Sequence, residues 1–238
     1  MSSSRPSHDP AQLPIIISNN KPPLDLAPAG DAPPITSDPP FHHDARKLLL
    51  PAFTKAAVAE QEAATRAYCH ELIDALEGRK VVDAARDYAQ HIPMRVIAGM
   101  LGFPPEDGPR FREFVENVLE SVNQPPEERF ERFNELSGYL VTQIHDHIAN
   151  PRDDLATYLV NAELHGRKLD PLHVVGMMML LLIAGIDTTW SAIGVSLWHL
   201  AKTPADRERL AAEPHERSDH LGKCASTLSS ARMWRGCR

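Results

Sequence analysis

Residues 174–186 form an almost purely apolar run that flows without a break into Asp187, Thr188 and Thr189, after which apolar residues resume. No other feature limits the possible folds as strongly. Asp170-Pro171 reads as a helix start and Lys202 as its end. At 1.5 Å per residue the helix is roughly 45–50 Å long. Its first half is apolar nearly all round, through Val174, Val175, Met177, Met178, Met179, Leu180, Leu181, Leu182 and Ile183. Such a helix has to be enclosed by other protein. Crossing a bilayer takes about 20 apolar residues, and Asp187 interrupts this run earlier, so a core helix rather than a membrane segment is expected.

The rest of the chain supplies the helices that wrap it. "DPPFHHDARKLLLPAF" opens a short helix, with Asp38 as cap, Pro39 and Pro40 in the first turn and Pro51 as its end. "AVAEQEAATRAYCHELIDALEG" has helical spacing and stops at Gly78. "VVDAARDYAQHIPMRVIAGMLG" reads as a helix bent near Pro93 and closed at Gly102. Two amphipathic helices follow on either side of Gln124-Pro125-Pro126. A shorter one is capped by Asp153 or Asp154, and "PADRERLAAEP" is the last. No strand is predicted. The expected class is mainly α.

Both ends differ from this body. About half of the 21 prolines fall in the first forty residues, so residues 1–37 are expected to be extended. Residues 38–214 form the helical part. Residues 215–238 are rich in Ser, Arg, His and Cys with no amphipathic period, and are expected to pack poorly. A change of reading frame near Pro214 and His215 would produce such an abrupt shift.

Composition excludes several function classes. A net charge of −7 and a pI near 5.9 argue against a nucleic-acid binder. Cys69, Cys224 and Cys237 form no CxxC pair, which suggests neither a zinc knuckle nor a disulfide framework. With no signal-peptide core near the start, a reduced, cytoplasmic setting is expected. No metal site is read: His145 and His147 are two apart on a helix and diverge. Met177, Met178 and Met179 read as core filler.

Two segments carry candidate chemistry. In "AGIDTT" the Thr188 hydroxyl is four residues beyond Ala184 and can bond its carbonyl, loosening the ladder where Gly185 also weakens it. A groove with a hydroxyl on its rim and Asp187 beside it can move protons. A kink whose Asp187 pairs with an arginine accounts for the same residues. In "DPPFHHDAR" His42 and Arg46 are four apart and share a helix face. They make either a clamp for carboxylates or a solvated basic face.

Together these segments resemble the cytochrome P-450 superfamily, the haem-thiolate monooxygenases. "AGIDTT" is similar to that family's oxygen-activation motif, and "DPPFHHDAR" to the helix that holds the haem propionates in bacterial members. Their order and separation also match, over about residues 15–214. The resemblance implies a haem cofactor, with His42 and Arg46 on its propionates. Ala184 and Gly185 would leave room for oxygen on the haem face. Thr188 would hold oxygen and water by hydrogen bonds, and Asp187 would help deliver protons inside a dry pocket. His43 points about 100° away from His42, so His42 is preferred.

The resemblance further implies insertion of oxygen into a small apolar organic substrate, with a ferredoxin-type electron donor for an intact relative. The pattern is incomplete, however. The family's axial cysteine lies in a Gly-rich loop after an E-x-x-R helix, and neither occurs in these 238 residues. The ligand role is therefore not carried onto Cys224 or Cys237. The chain reads as a truncated member that does not turn over substrate as written. The alternative is a non-enzymatic remnant, or a helical small-molecule-binding protein without haem.

Overall fold

Apolar spacing and proline placement resolve into eight α-helices in the computed structural model, which describes residues 32–120 and 125–212. They are α1 (Phe41–Leu49), α2 (Lys55–Asp74), α3 (His91–Leu101), α4 (Gly108–Glu120), α5 (Pro126–Ala149), α6 (Leu155–Asn161), α7 (Pro171–Lys202) and α8 (Pro204–Ala212). The mainly α class and the long central helix are as expected. The segments 1–31 and 213–238, with the extended start and the irregular tail expected there, lie outside the described residues.

Three local expectations need correction. Asp38 does not cap α1 through its side chain; Pro40 occupies the cap position, and Asp38 contributes its backbone carbonyl to the His42 N–H at 3.0 Å. The segment around Pro93 is not one bent helix. A π-turn over Ala85–Ala89 precedes α3, which begins at His91, so Pro93 falls in the first turn where its missing N–H costs nothing. The third is a small antiparallel hairpin, β1 (Glu163–Leu164) with β2 (Arg167–Lys168). Two-residue strands are too short to show alternation. The turn carries the signal instead, because His165 and Gly166 have φ of +52° and +74°, the left-handed pair that a tight hairpin turn requires.

The chain divides into two compact units. Among the described residues, the first takes in those of 32–66 and 94–186. In its core α4 and α5 pack around an aromatic cluster: Phe111 and Tyr139 have ring centroids 5.4 Å apart, and Phe103 lies 5.8 Å from each. The Tyr139 hydroxyl donates to Asp107 at 2.8 Å, and the Arg110 guanidinium lies 4.9 Å from its ring centre. Burial and the Asp107 carboxylate push the Tyr139 phenol well above its ordinary range. Val174, Val175, Met177, Met178, Met179, Leu182 and Ile186 of α7 are buried, so the methionines are core residues. Of the two candidate caps, Asp154 is the one used, accepting from the Thr157 N–H at 2.7 Å.

The second unit takes in, among the described residues, those of 67–93 and 187–212. Asp83 caps the π-turn through the Ala85 and Arg86 N–H groups, both at 3.0 Å, while Arg79 pairs with Asp87 at 2.7 Å. Tyr88 shares a hydrogen bond with the Cys69 thiol, and burial first, then that bond, pushes its phenol up to about 12. His199 meets Asp206 at 2.8 Å, fastening α8 to the end of α7.

Candidate functional site

Helix α7 stays α-helical from Pro171 to Lys202, through the whole polar interruption. The loosening expected at residues 184–188 does not change the helix type, because a hydroxyl four residues on can share a carbonyl within an α-helical ladder. Burial changes sharply here. The buried positions of α7 end at Ile186; Ala184, Thr188 and Thr189 are exposed, and Gly185 and Asp187 are half-buried. By helical geometry Ala184 and Thr188 lie on one face, one turn apart. α7 is long and apolar enough to cross a membrane, but half of its most apolar stretch is buried inside the protein.

Asp187 has no arginine or lysine ion partner among the described residues. Burial alone pushes its carboxyl above the ordinary aspartate range. A carboxyl that holds its proton more tightly than usual, yet still reaches solvent, is equipped to take up and pass on protons. The half-buried Gly185 faces Ile97 of α3. A Cβ added there would meet Ile97 Cδ1 at 3.6 Å and Cγ1 at 3.8 Å, which is ordinary contact. Helix packing therefore does not require a glycine at 185. The sequence offered no signal for Ile97, because its approach to α7 is a tertiary contact.

Helix α1 is anchored by one side. The Phe41 ring lies 5.1 Å from that of His173 at the start of α7, Ala45 and Leu49 are buried, and Asp44 meets His165 of the hairpin at 3.0 Å. This leaves His42 and Arg46 together on the adjoining flank. His42 is half-buried, whereas His43 is exposed, with the two rings edge to face at 5.6 Å. An imidazole and a guanidinium one turn apart are a donor set suited to carboxylates, so the residues present fit the propionate end of a haem.

Among the described residues the one cysteine is Cys69, a free thiol that shares a hydrogen bond with Tyr88. Cys224 and Cys237 lie outside them. His145 is exposed while His147 is fully buried, so the two diverge as the spacing predicts.

Comparison with known proteins gives the same direction. The family model for cytochrome P450 matches residues 100–220, half of the chain. The polyketide biosynthesis cytochrome P450 PksS of Bacillus subtilis is 28% identical over 180 residues, covering 76% of this chain and 44% of that protein. The epothilone C/D epoxidase of Sorangium cellulosum is 31% identical over 190 residues, covering 74% of this chain and 44% of the relative. Among solved structures, the myxobacterial cytochrome P450 CYP267B1 in complex with myristic acid superposes with a TM-score of 0.77 at 28% identity. That match covers 84% of this chain and 50% of the other. The chain thus spans about 44% of the length of these curated relatives.

Proposed function

The chain belongs to the cytochrome P450 family, and from that premise we propose that it carries the oxygen-handling helix and the propionate clamp of a haem monooxygenase. The observation that carries this reading is α7 itself: an unbroken helix, buried up to Ile186, that turns polar and accessible at Asp187 and Thr188. Residues 38–214 are taken as the family's helical portion.

In this reading His42 and Arg46 grip the haem propionates by charge-assisted hydrogen bonds. Ala184 and Gly185 keep side-chain bulk away from the haem face. The haem, when bound, supplies the redox-active iron at which dioxygen is reduced. Thr188 offers a hydroxyl that both donates and accepts on that face. Asp187 takes a proton from solvent, helped by the burial that raises its carboxyl. Consecutive helical residues point about 100° apart, so the handover from Asp187 to Thr188 runs through solvent rather than directly. The reaction is insertion of oxygen into a small apolar organic substrate. The names of relatives support this: one is an epothilone epoxidase, and one structure holds myristic acid. A ferredoxin-type protein is the proposed electron donor, and the cytoplasm the proposed setting.

The same reading separates haem binding from turnover. The 238 residues contain no E-x-x-R sequence, and the axial thiolate is what makes the iron competent to cleave oxygen. Tested by itself, the chain is expected to take up haemin, and reduction under carbon monoxide should give an imidazole-type or free-haem spectrum. Replacing both His42 and Arg46 by Ala should weaken haemin retention at least tenfold, as loss of two charge-assisted contacts requires. Retention unchanged by that pair of replacements would remove the clamp. A thiolate-type band abolished by replacing Cys224 or Cys237 would overturn the expectation of inactivity.

A further inference from the structure

Where α3, α5 and α6 meet in the first unit, a histidine is fully buried. His147 of α5 has no exposed surface, and its Nδ1 lies 2.7 Å from the Gln143 carbonyl. A carbonyl only accepts, so Nδ1 carries a hydrogen in every state of the ring. The one variable proton is on Nε2. That nitrogen faces two groups of opposite demand. Arg152 Nη1, which only donates, is 3.2 Å away, and Asp154 Oδ2, which as a carboxylate only accepts, is 3.3 Å away.

Nε2 can satisfy one of them at a time. Asp154 has a side chain only 6% exposed, and its Oδ2 makes no hydrogen bond: Nε2 lies 3.3 Å away without the alignment of one. Its second oxygen is the cap of α6, bonded to the Thr157 N–H. Gly102, at the end of α3 with φ +69°, leaves the space that the Asp154 carboxyl fills. Arg152 has alternatives to the ring: Nη1 also donates to the Gly102 carbonyl at 3.1 Å, and Nη2 pairs with Asp146. The Phe103 ring lies edge to face with the imidazole, centroids 6.0 Å apart. The charged groups facing His147 are therefore Asp146 from its own helix, and Arg152 and Asp154 from the segment leading into α6.

We propose that His147, Arg152 and Asp154 form a two-position proton clasp that sets how firmly the start of α6 is held. With Nε2 protonated, the ring donates to Asp154 Oδ2, and the carboxylate that caps α6 is satisfied on both oxygens. With Nε2 unprotonated, its lone pair accepts from Arg152, and Asp154 Oδ2 is left buried without a donor. A buried acceptor in that condition carries a desolvation cost comparable to a lost charge-assisted bond. The α6 cap is therefore tight while Nε2 carries its proton and slack once that proton is gone.

The test uses the full chain. Hydrogen exchange at the Thr157 amide, corrected for its intrinsic pH dependence, should show protection falling about tenfold as the pH is raised and Nε2 loses its proton, as loss of one such bond implies. Asp154→Asn keeps an oxygen for the cap and turns an amide N–H toward Nε2, so it should reverse the sign, with protection greatest when the ring is neutral. A flat profile in the parent, or an unchanged sign in the variant, overturns the clasp. Should the variant fail to fold, nitrogen-15 spectra of His147 in the parent decide instead. The neutral ring must carry its proton on Nδ1, and a neutral ring protonated on Nε2 contradicts the geometry.

Discussion

Gly185→Ala tests whether a glycine is needed by the fold or by a ligand. Within a helix interior, glycine is less favourable than alanine by about 1 kcal/mol. The added methyl would touch Ile97 alone, at 3.6 and 3.8 Å, so no clash offsets that gain. The substitution should therefore stabilise the chain by about 1 kcal/mol, which for a chain of this size raises Tm by roughly 2–4 °C. Thermal and urea unfolding followed by circular dichroism read this directly. In haem-loaded protein the same methyl should crowd the small ligand and lower carbon monoxide affinity several-fold. A stability loss of about 1 kcal/mol or more would show that the contact with α3 demands a glycine, refuting the packing argument. A gain in stability with carbon monoxide binding unchanged would instead refute the assignment of Gly185 to the ligand space.

Two further outcomes follow from the geometry. Gly102→Ala forces a Cβ into a left-handed position, costing roughly 1–2 kcal/mol, and drives it into the Asp154 carboxyl. With the cap bond to Thr157 worth about 1 kcal/mol, a total loss of about 2–3 kcal/mol is expected in urea unfolding, and a loss under about 1 kcal/mol would contradict the close approach. Asp187→Asn carries a signed pH dependence. Because burial raises the Asp187 carboxyl, the folded state binds its proton more tightly than the unfolded chain, and stability falls as pH rises through the window above the ordinary aspartate value. The asparagine variant should therefore be the more stable at pH 7, with the difference shrinking towards zero at about pH 3.5; a difference that widens on acidification would reverse the assignment.

Local chemistry was legible in the sequence wherever local chemistry decides the outcome. The start of α7 after Asp170, a cap at Asp153 or Asp154, the stop near Gly78 and the shared face of His42 and Arg46 all follow from spacing, capping and helical period. Pro93 was misread because a proline is tolerated in a first turn as well as at a bend, and only the π-turn before α3 settles which. The hairpin was missed because its strands are two residues long, and the left-handed pair His165 and Gly166 is the sole local cue. The preference for His42 over His43 depended on a helical angle, and their difference in burial depends on which side of α1 the Phe41 and Asp44 contacts hold down. Ile97 against Gly185, and His147 between Arg152 and Asp154, had no signature at all. The sequence by itself determined the mainly helical class and the placement of a polar patch inside an apolar helix, because periodicity and capping act within a few residues along the chain. Only the tertiary structure decided which polar groups are buried and whom they face, since burial and partner choice arise between segments far apart in sequence, where no local pattern records them.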